Sequence, residues 1–382
     1  MNSVESKLSN AGTTIFTVMS ALAAKHGAIN LSQGFPDFDP PELLVERVAH
    51  HLGTGRNQYP PMPGVTELRE AIAGKLRALY DVHVDPESEI TVTSGATTAL
   101  FCAVQALVRG GDEVIVLDPA YDSYEPAVTL AGATTVHVPL EAPAFSIDWD
   151  RLQASLCDRT RLIILNSPHN PTGALIDAAD LDRLAAMLRP FGCFVLSDEV
   201  YEHIIFDGEP HATVLAHPEL AERSLAVFSF GKTYHATGWK VGYCVAPRGL
   251  STEFRRVHQF VTFATVAPVQ YALADYLSAH PEHHLGLPRF YADKRDHFVR
   301  LLGDSRFELT PSRGTYFQLA DYSGISDLPD VEFARWLTIE HGVAVIPISV
   351  FYESAPADRF VRFCFAKQAA TLEQAAARLA GL

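Results

Sequence analysis

The sequence predicts an α/β fold, with a large domain on a mostly parallel sheet and a smaller α+β domain after it. Three features predict this. From Glu89 to Leu196, short apolar runs alternate with amphipathic stretches, the signature of repeated βαβ units. The runs are continuously apolar, as strands covered on both faces are. Beyond Leu302 a second set of short strands and helices follows, and 382 residues suffice for two hydrophobic cores.

The elements follow in order. Residues 1–13 are polar and aperiodic, an arm. Residues 14–24 carry Ile15, Val18, Met19 and Leu22 at helical spacing. Residues 29–38 read as a short strand that ends in a Gly/Pro turn, and 42–52 as a helix. Three prolines make 57–64 an extended loop, and 65–80 is a strongly periodic helix. In the alternating region the expected strands are 90–93, 114–117, 135–138, 162–165 and 194–196. Helices are expected at 97–108, 124–130 and 178–188. Apolar runs 225–228 and 241–246 add two more short strands. Residues 268–280 and 288–302 read as helices, the second a long connector. Strands are then expected at 307–309, 315–319, 343–346 and 360–365, with helices at 331–340 and 372–379. The expected division is an arm at 1–40 that joins the small domain, a large domain at 41–285, and a small domain at 286–382.

Composition narrows the function classes. Hydrophobic residues make up 48% and charged residues 20%, as in a folded globular chain. A formal net charge of −15 argues against nucleic-acid or anionic-membrane binding, both of which want a basic face. The five cysteines (Cys102, Cys157, Cys193, Cys244, Cys364) lie in or near apolar segments without a Cys-x-x-Cys pair, as buried reduced thiols do. No apolar leader opens the chain and no run reaches membrane-spanning length, so a cytoplasmic protein is expected.

In an open parallel sheet, ligands bind outside the carboxyl ends of the strands. Four polar groups fall there. Ser94-Gly95-Ala96-Thr97 follows one strand and opens a helix, where free backbone N–H groups can hold a phosphate. Asn170, in Pro168-His169-Asn170-Pro171-Thr172-Gly173, follows another. Asp198 follows a third, with Tyr201 three residues on. Lys232 follows the run 225–228, and Lys240 stands eight residues later. Each has a plain alternative: a helix N-cap for Asp198, a turn for Asn170-Pro171-Thr172-Gly173, a packed aromatic for Tyr201, a surface hairpin for the lysines. Yet a lysine behind a buried strand must be paired or chemically used. Burial lowers its pKa and makes it a Schiff-base nucleophile.

Pyridoxal 5′-phosphate (PLP) accounts for all four groups, since it needs an amine for its aldehyde, an acid for its ring nitrogen, donors to its phenolic oxygen and a phosphate cradle. Lys232 is the candidate amine and general base, and Asp198 the ring-nitrogen partner. Asn170 and Tyr201 suit the phenolic oxygen. Ser229, Lys240 and the amides of Gly95, Ala96 and Thr97 suit the phosphate, and Tyr121 could stack on the ring.

Ser229-Phe230-Gly231-Lys232, with Lys240 eight residues on, resembles the lysine motif of fold-type I aminotransferases. So do Asn30 to Phe38, Asn57-Gln58-Tyr59, Ser94 to Thr97, Pro168 to Gly173, Ser197 to Tyr201 and Val361 to Ala366. Across essentially its whole length the chain resembles the class I/II aminotransferases, and among them the methionine and kynurenine/glutamine branch. One departure is Lys240, which stands where many members carry the bidentate arginine. The resemblance implies the fold-type I architecture with a seven-stranded sheet. It implies a ping-pong exchange between a neutral amino acid and a 2-oxo acid, and a homodimer in which Tyr59 reaches the partner's cofactor phosphate. It implies that Arg362 binds the substrate α-carboxylate, helped by Asn170 and the Gly34 backbone, and that Ile15, Phe16, Phe260 and Phe263 line the pocket. Independently, Arg362 sits inside the apolar run 360–365 and needs an anion, either a structural carboxylate or a substrate's.

Methionine is the first expected substrate, with aromatic amino acids, glutamine and kynurenine behind it. Arg362 is the one strong arginine candidate, and a dicarboxylic substrate needs a second cation. A carbon–sulfur β-lyase on the same scaffold is the competing enzyme, and a non-catalytic aminotransferase-like regulator the competing non-enzyme. His280, His283 and His284 lack a carboxylate or cysteine companion and read as a solvated connector, so no metal is expected. No Gly-x-Gly-x-x-Gly or phosphate-loop lysine motif supports nucleotide binding.

Overall fold

The structure is a computed structural model and describes residues 4–9, 12–354 and 356–382. Part of the expected arm, residues 1–3, 10 and 11, lies outside these. Helix α1 (Ile15–His26) begins where the Thr14 side chain accepts from the Thr17 N–H, and it ends at Gly27 in the left-handed conformation. Strand β1 (Ile29–Asn30) and helices α2 (Glu42–Gly53) and α3 (Thr66–Tyr80) follow.

Seven strands then build the main sheet: β2 (Ile90–Thr93), β3 (Glu113–Asp118), β4 (Thr134–Pro139), β5 (Thr160–Asn166), β6 (Phe194–Asp198), β7 (Ser224–Ser229) and β8 (Gly242–Val245). Their order is β2-β8-β7-β6-β5-β3-β4. Every neighbouring pair is parallel except those of β8, which runs antiparallel to both β2 and β7. Alternate residues serve opposite faces: Leu162 and Ile164 join one buried cluster, Ile163 and Leu165 the other. That is why these strands carry no polar alternation. Strand order reverses between β3 and β5, and the crevice at such a reversal is where open α/β sheets bind ligands.

Helices α4 (Ala96–Leu107), α5 (Tyr124–Leu130), α6 (Trp149–Ser155), α7 (Ala178–Leu188), α8 (Pro218–Ala221) and the one-turn α9 (Phe230–Thr233) fill the connections. Helices α10 (Arg248–Val261), α11 (Ala267–Ala279) and α12 (Pro281–Leu301) come next. The C-terminal set is β9 (Phe317–Asp321), α13 (Asp330–Glu340), β10 (Val343–Ala344), β11 (Ile346–Pro347), β12 (Phe360–Cys364) and α14 (Ala369–Leu379). Strands β11, β12 and β9 form an antiparallel sheet. Strand β10 pairs in parallel with β1, so the N-terminal segment is hydrogen-bonded to the C-terminal set.

Some expectations need correcting. The strand expected at 307–309 is only an isolated bridge, Glu308 to Asp321. The run 343–346 splits between two sheets, because β10 turns to β1 and β11 to β12. Helix α10 is absent from the expectations, although Leu250, Phe254 and Val257 recur along it at helical spacing and pack into one buried cluster. Helix α12 starts at Pro281, not near Pro288, and Pro288 lies inside it. Nor are its histidines a solvated connector. His284 is buried and its ring lies 4.9 Å from that of His203. His283 is partly buried and donates through Nε2 to the Thr233 carbonyl at 2.9 Å. The first turns of α12 pack behind α9 and the 200–203 turn, so that face belongs to the interior.

Candidate active site

The carboxyl ends of β2, β3, β5, β6 and β7, with the start of β8, enclose a cavity of about 150 Å³. It is lined by Gly95, Ala96, Thr97, Tyr121, Asn170, Asp198, Tyr201, Ser229, Lys232 and Lys240. Ten residues from six separate stretches therefore converge. Nine of them lie at or within a few residues beyond the carboxyl end of a strand, and Lys240 lies just before the antiparallel β8 begins at that same edge.

Asp198 ends β6 and is buried. One carboxylate oxygen accepts from the Tyr124 hydroxyl at 2.7 Å, the other from the Val200 N–H at 3.4 Å. No helix follows it, only a turn, so the N-cap alternative falls. Burial pushes its pKa up to about 6, with the Tyr124 hydrogen bond opposing. Asn166, the last residue of β5, donates to the Asp198 carbonyl at 2.9 Å and accepts from the Asn170 N–H at 2.8 Å. It fixes the Asp198 and Asn170 backbones to each other.

Lys232 sits on α9. Its Nζ donates to the Tyr316 hydroxyl at 2.8 Å and to the Gly34 carbonyl at 3.2 Å, and lies 5.4 Å from the ring centre of Tyr201. Burial brings its pKa down to about 8. That leaves a usable fraction of free amine near neutral pH. Tyr201 is buried, which raises its pKa and keeps it a neutral donor.

At the far end, Gly95 precedes α4 with φ +79° and no side chain caps the helix. A Cβ on Gly95 would stand 3.4 Å from the Lys240 Nζ, so an ammonium and the first amides of a twelve-residue helix share one corner. That corner suits a phosphate. The cavity thus offers an anion cradle, an acid and an amine in one lining. This donor set fits PLP: Gly95, Ala96, Thr97, Ser229 and Lys240 to the phosphate, Asp198 to the ring nitrogen, Asn170 and Tyr201 to the phenolic oxygen, Lys232 to the aldehyde.

Arg362, on β12, is fully buried. Its two terminal nitrogens donate to Asn170 Oδ1 at 2.7 Å and the Ser32 carbonyl at 2.9 Å, both neutral oxygens. Its guanidinium lies 3.8 Å from the Phe317 ring centre and 5.3 Å from that of Phe16. Its Nε is buried without a partner among the described residues. Burial lowers its pKa, but a guanidinium stays charged at neutral pH.

The other expected residues stand apart. Tyr59 is 85% exposed and sets its ring edge-on to Phe263 at 5.6 Å; Phe260 is 87% exposed. Neither Tyr59 nor Phe263 borders the cavity of its own chain. Ile15 borders a neighbouring cavity of about 460 Å³, which shares Tyr121 with the first. The Gly34 carbonyl is taken by Lys232 and by Tyr316, which donates to it at 2.6 Å, so only its N–H is left for a carboxylate. Sequence reasoning missed Tyr124, Asn166, Ser32 and Tyr316. The first two stand three and four residues from Tyr121 and Asn170 at the same strand ends, a usable signal. Ser32 and Tyr316 have none, because they arrive from distant parts of the chain.

The family model described as aminotransferase class I and II matches residues 26–379. A methionine aminotransferase of Escherichia coli strain K12 is 57% identical over 375 residues, covering 98% of this chain and 97% of that one. A crystal structure of an Escherichia coli protein described as having a methionine aminotransferase function superposes with TM-score 0.98 at 56% identity, covering 100% of both chains. The structure of N-succinyldiaminopimelate aminotransferase from Mycobacterium tuberculosis superposes with TM-score 0.95 at 40% identity, covering 99% of this chain and 100% of the other.

Proposed function

Because the chain belongs to the class I and II aminotransferase family and is therefore a PLP-dependent aminotransferase, we propose that its amino donor is methionine or a comparable neutral amino acid. The observation that carries this is Arg362. Its two bonded nitrogens rest on neutral oxygens, so its charge is free for a substrate α-carboxylate. Around it stand the rings of Phe16 and Phe317. A thioether or aromatic side chain gains from such surroundings, about 0.3–1.5 kcal/mol for a sulfur–ring contact. A side-chain carboxylate would need a second cation there. The Escherichia coli relative named for methionine supports the same reading.

In this reading the bound cofactor supplies an electron sink that acidifies the substrate Cα–H. Lys232 is the catalytic base and acid at that carbon. Asp198 holds a proton on the ring nitrogen, and its ionisation is favoured by the cation it faces. Asn170 and Tyr201 donate to the phenolic oxygen. Arg362 and Asn170 orient the substrate, with the Gly34 N–H. Tyr121 covers one ring face. The exposed Tyr59 and Phe263 would complete the site of a second copy, which supports a homodimer with shared sites. We also propose that residues 41–285 and 286–382 act as two bodies, the arm 1–40 joined to the second through the β1–β10 pairing. Five unpaired cysteines fit a cytoplasmic location.

The test is a half-reaction screen with methionine, phenylalanine, glutamine, kynurenine and aspartate, following loss of the PLP absorbance. Methionine should exceed aspartate in kcat/KM by about tenfold or more, the equivalent of 1.4 kcal/mol. A preference for aspartate would overturn the donor assignment. Release of ammonia without amino transfer would point to lyase chemistry.

A further inference from the structure

Tyr316 stands just before β9. Its ring is fully buried, edge-on to Tyr201 at 5.2 Å and to Phe317 at 4.9 Å. Its hydroxyl meets the Gly34 carbonyl at 2.6 Å and the Lys232 Nζ at 2.8 Å, with the Tyr201 hydroxyl also beside it. Lys232 also reaches the Gly34 carbonyl, at 3.2 Å, which closes a triangle. The chemistry fixes its polarity. A carbonyl only accepts, so the phenol proton must point at Gly34 and a phenol lone pair must face the lysine. The triangle also favours a glycine: a Cβ at position 34 would stand 2.8 Å from Phe317 Cζ, so a larger residue would have to displace the Phe317 ring to bring its carbonyl this close.

The amine therefore rests on two neutral oxygens and no carboxylate. Cys364, Arg362, Lys240 and Asp198 act on it only from a distance, and Tyr201 shows it a ring face. A carboxylate partner would hold it as a firmly protonated ion pair. Neutral acceptors hold it in place yet let it give up its proton.

We infer that Tyr316 is a positioning residue for Lys232, setting where the uncommitted amine rests and how readily it loses its proton. The inference rests on Lys232 being the cofactor-carrying lysine.

The test is Tyr316→Phe, which keeps the ring and removes only the hydroxyl. Cofactor is removed from wild type and variant, PLP is added back, and its capture rate is followed by absorbance from pH 6 to pH 10. In wild type the rate should rise with a midpoint near 8, where burial places Lys232. Loss of an acceptor disfavours the ammonium, so the variant's midpoint should fall by about half a unit or more. Its plateau rate should fall about threefold or more, because the amine is no longer aimed. In the loaded enzyme kcat for methionine should drop more than KM rises. A variant profile that superposes on wild type in both midpoint and plateau overturns the inference. Should Tyr316→Phe not fold, 3-fluorotyrosine at position 316 keeps the ring and weakens the acceptor. A lowered midpoint then supports the role and an unchanged one overturns it. Borohydride fixation and peptide mapping separate the two ideas. Cofactor on another lysine sinks the reading of Lys232, whereas cofactor on Lys232 with unchanged Tyr316 profiles sinks only this inference.

Discussion

The carboxyl of Asp198 is held in an environment that opposes its charge, and this has a measurable sign. Its pKa is about 6 in the fold against about 3.9 for an unperturbed Asp. Between those values the folded protein holds a proton that the unfolded chain has already lost. Its contribution to stability is therefore full below pH 4 and falls as pH rises to about 6, by about 3 kcal/mol in all. Lys232, titrating near 8, adds nothing in that window. Cofactor-free wild type compared with Asp198→Asn by chemical denaturation should thus show a stability difference that moves in the variant's favour across pH 4 to 6. Bound PLP should abolish that movement, because a cation facing Asp198 pulls its pKa back down. A difference flat with pH would mean the carboxylate is already compensated. Residues of this kind were legible in the sequence, since Asp198, Asn170 and Lys232 each follow an apolar run that could only be a strand. Tyr316 was not, because it stands 84 positions from Lys232 and its value lies in the oxygen it brings there.

At the scale of an element, the stretch from Asp198 to Glu202 alternates between two sides. Asp198 and Tyr201 face the cavity. Glu199 and Glu202 point away into buried bonds: Glu199 with His211 at 2.7 Å and the Val214 N–H at 3.2 Å, Glu202 with Lys75 at 2.5 Å and Tyr80 at 2.7 Å. Lys75 also donates to the Tyr243 hydroxyl at 2.6 Å. The back of the turn is anchored by ions so that its front can present ligands. Removing one member of a buried pair leaves the other charge unmatched, so Lys75→Met and Glu202→Gln should each lose about 3–5 kcal/mol in urea unfolding. The double variant should lose clearly less than the sum. Strict additivity would show that the two groups are not coupled. The helix that carries Lys75 was legible from its period, but its buried ammonium was not. A lysine in an amphipathic pattern reads as solvent-facing, and only the arrival of Glu202, 127 positions away, makes its interior place tolerable. The histidines of α12 failed for the same reason, because α9 and His203 pack over what looked like an open connector.

For the whole molecule, the exposure of Tyr59, Phe260 and Phe263 fits the proposed homodimer, in which a second copy would cover them. Complementation tests this. Lys232→Ala chains and Tyr59→Ala chains are each expected to be inactive at limiting PLP. If Tyr59 serves the neighbour's site, mixing and re-equilibrating them should restore about a quarter of wild-type activity, because half the dimers are hybrids and one of two sites in each is whole. No recovery would mean that each chain completes its own site. The pairing of β1 with β10 carries a different consequence, one of timing. Ile29 and Asn30 leave the ribosome early, but their partners Val343 and Ala344 are made more than three hundred residues later. At about 5–20 residues per second, the first strand waits roughly 15–60 s for its mate. The seven strands of the main sheet are all translated within that interval, the last ending at Val245. Strand β1, made before any strand of the main sheet, is thus among the last to find its partner, and while the main sheet is being made the chain trails an unpaired strand that the cell must keep from sticking to anything else.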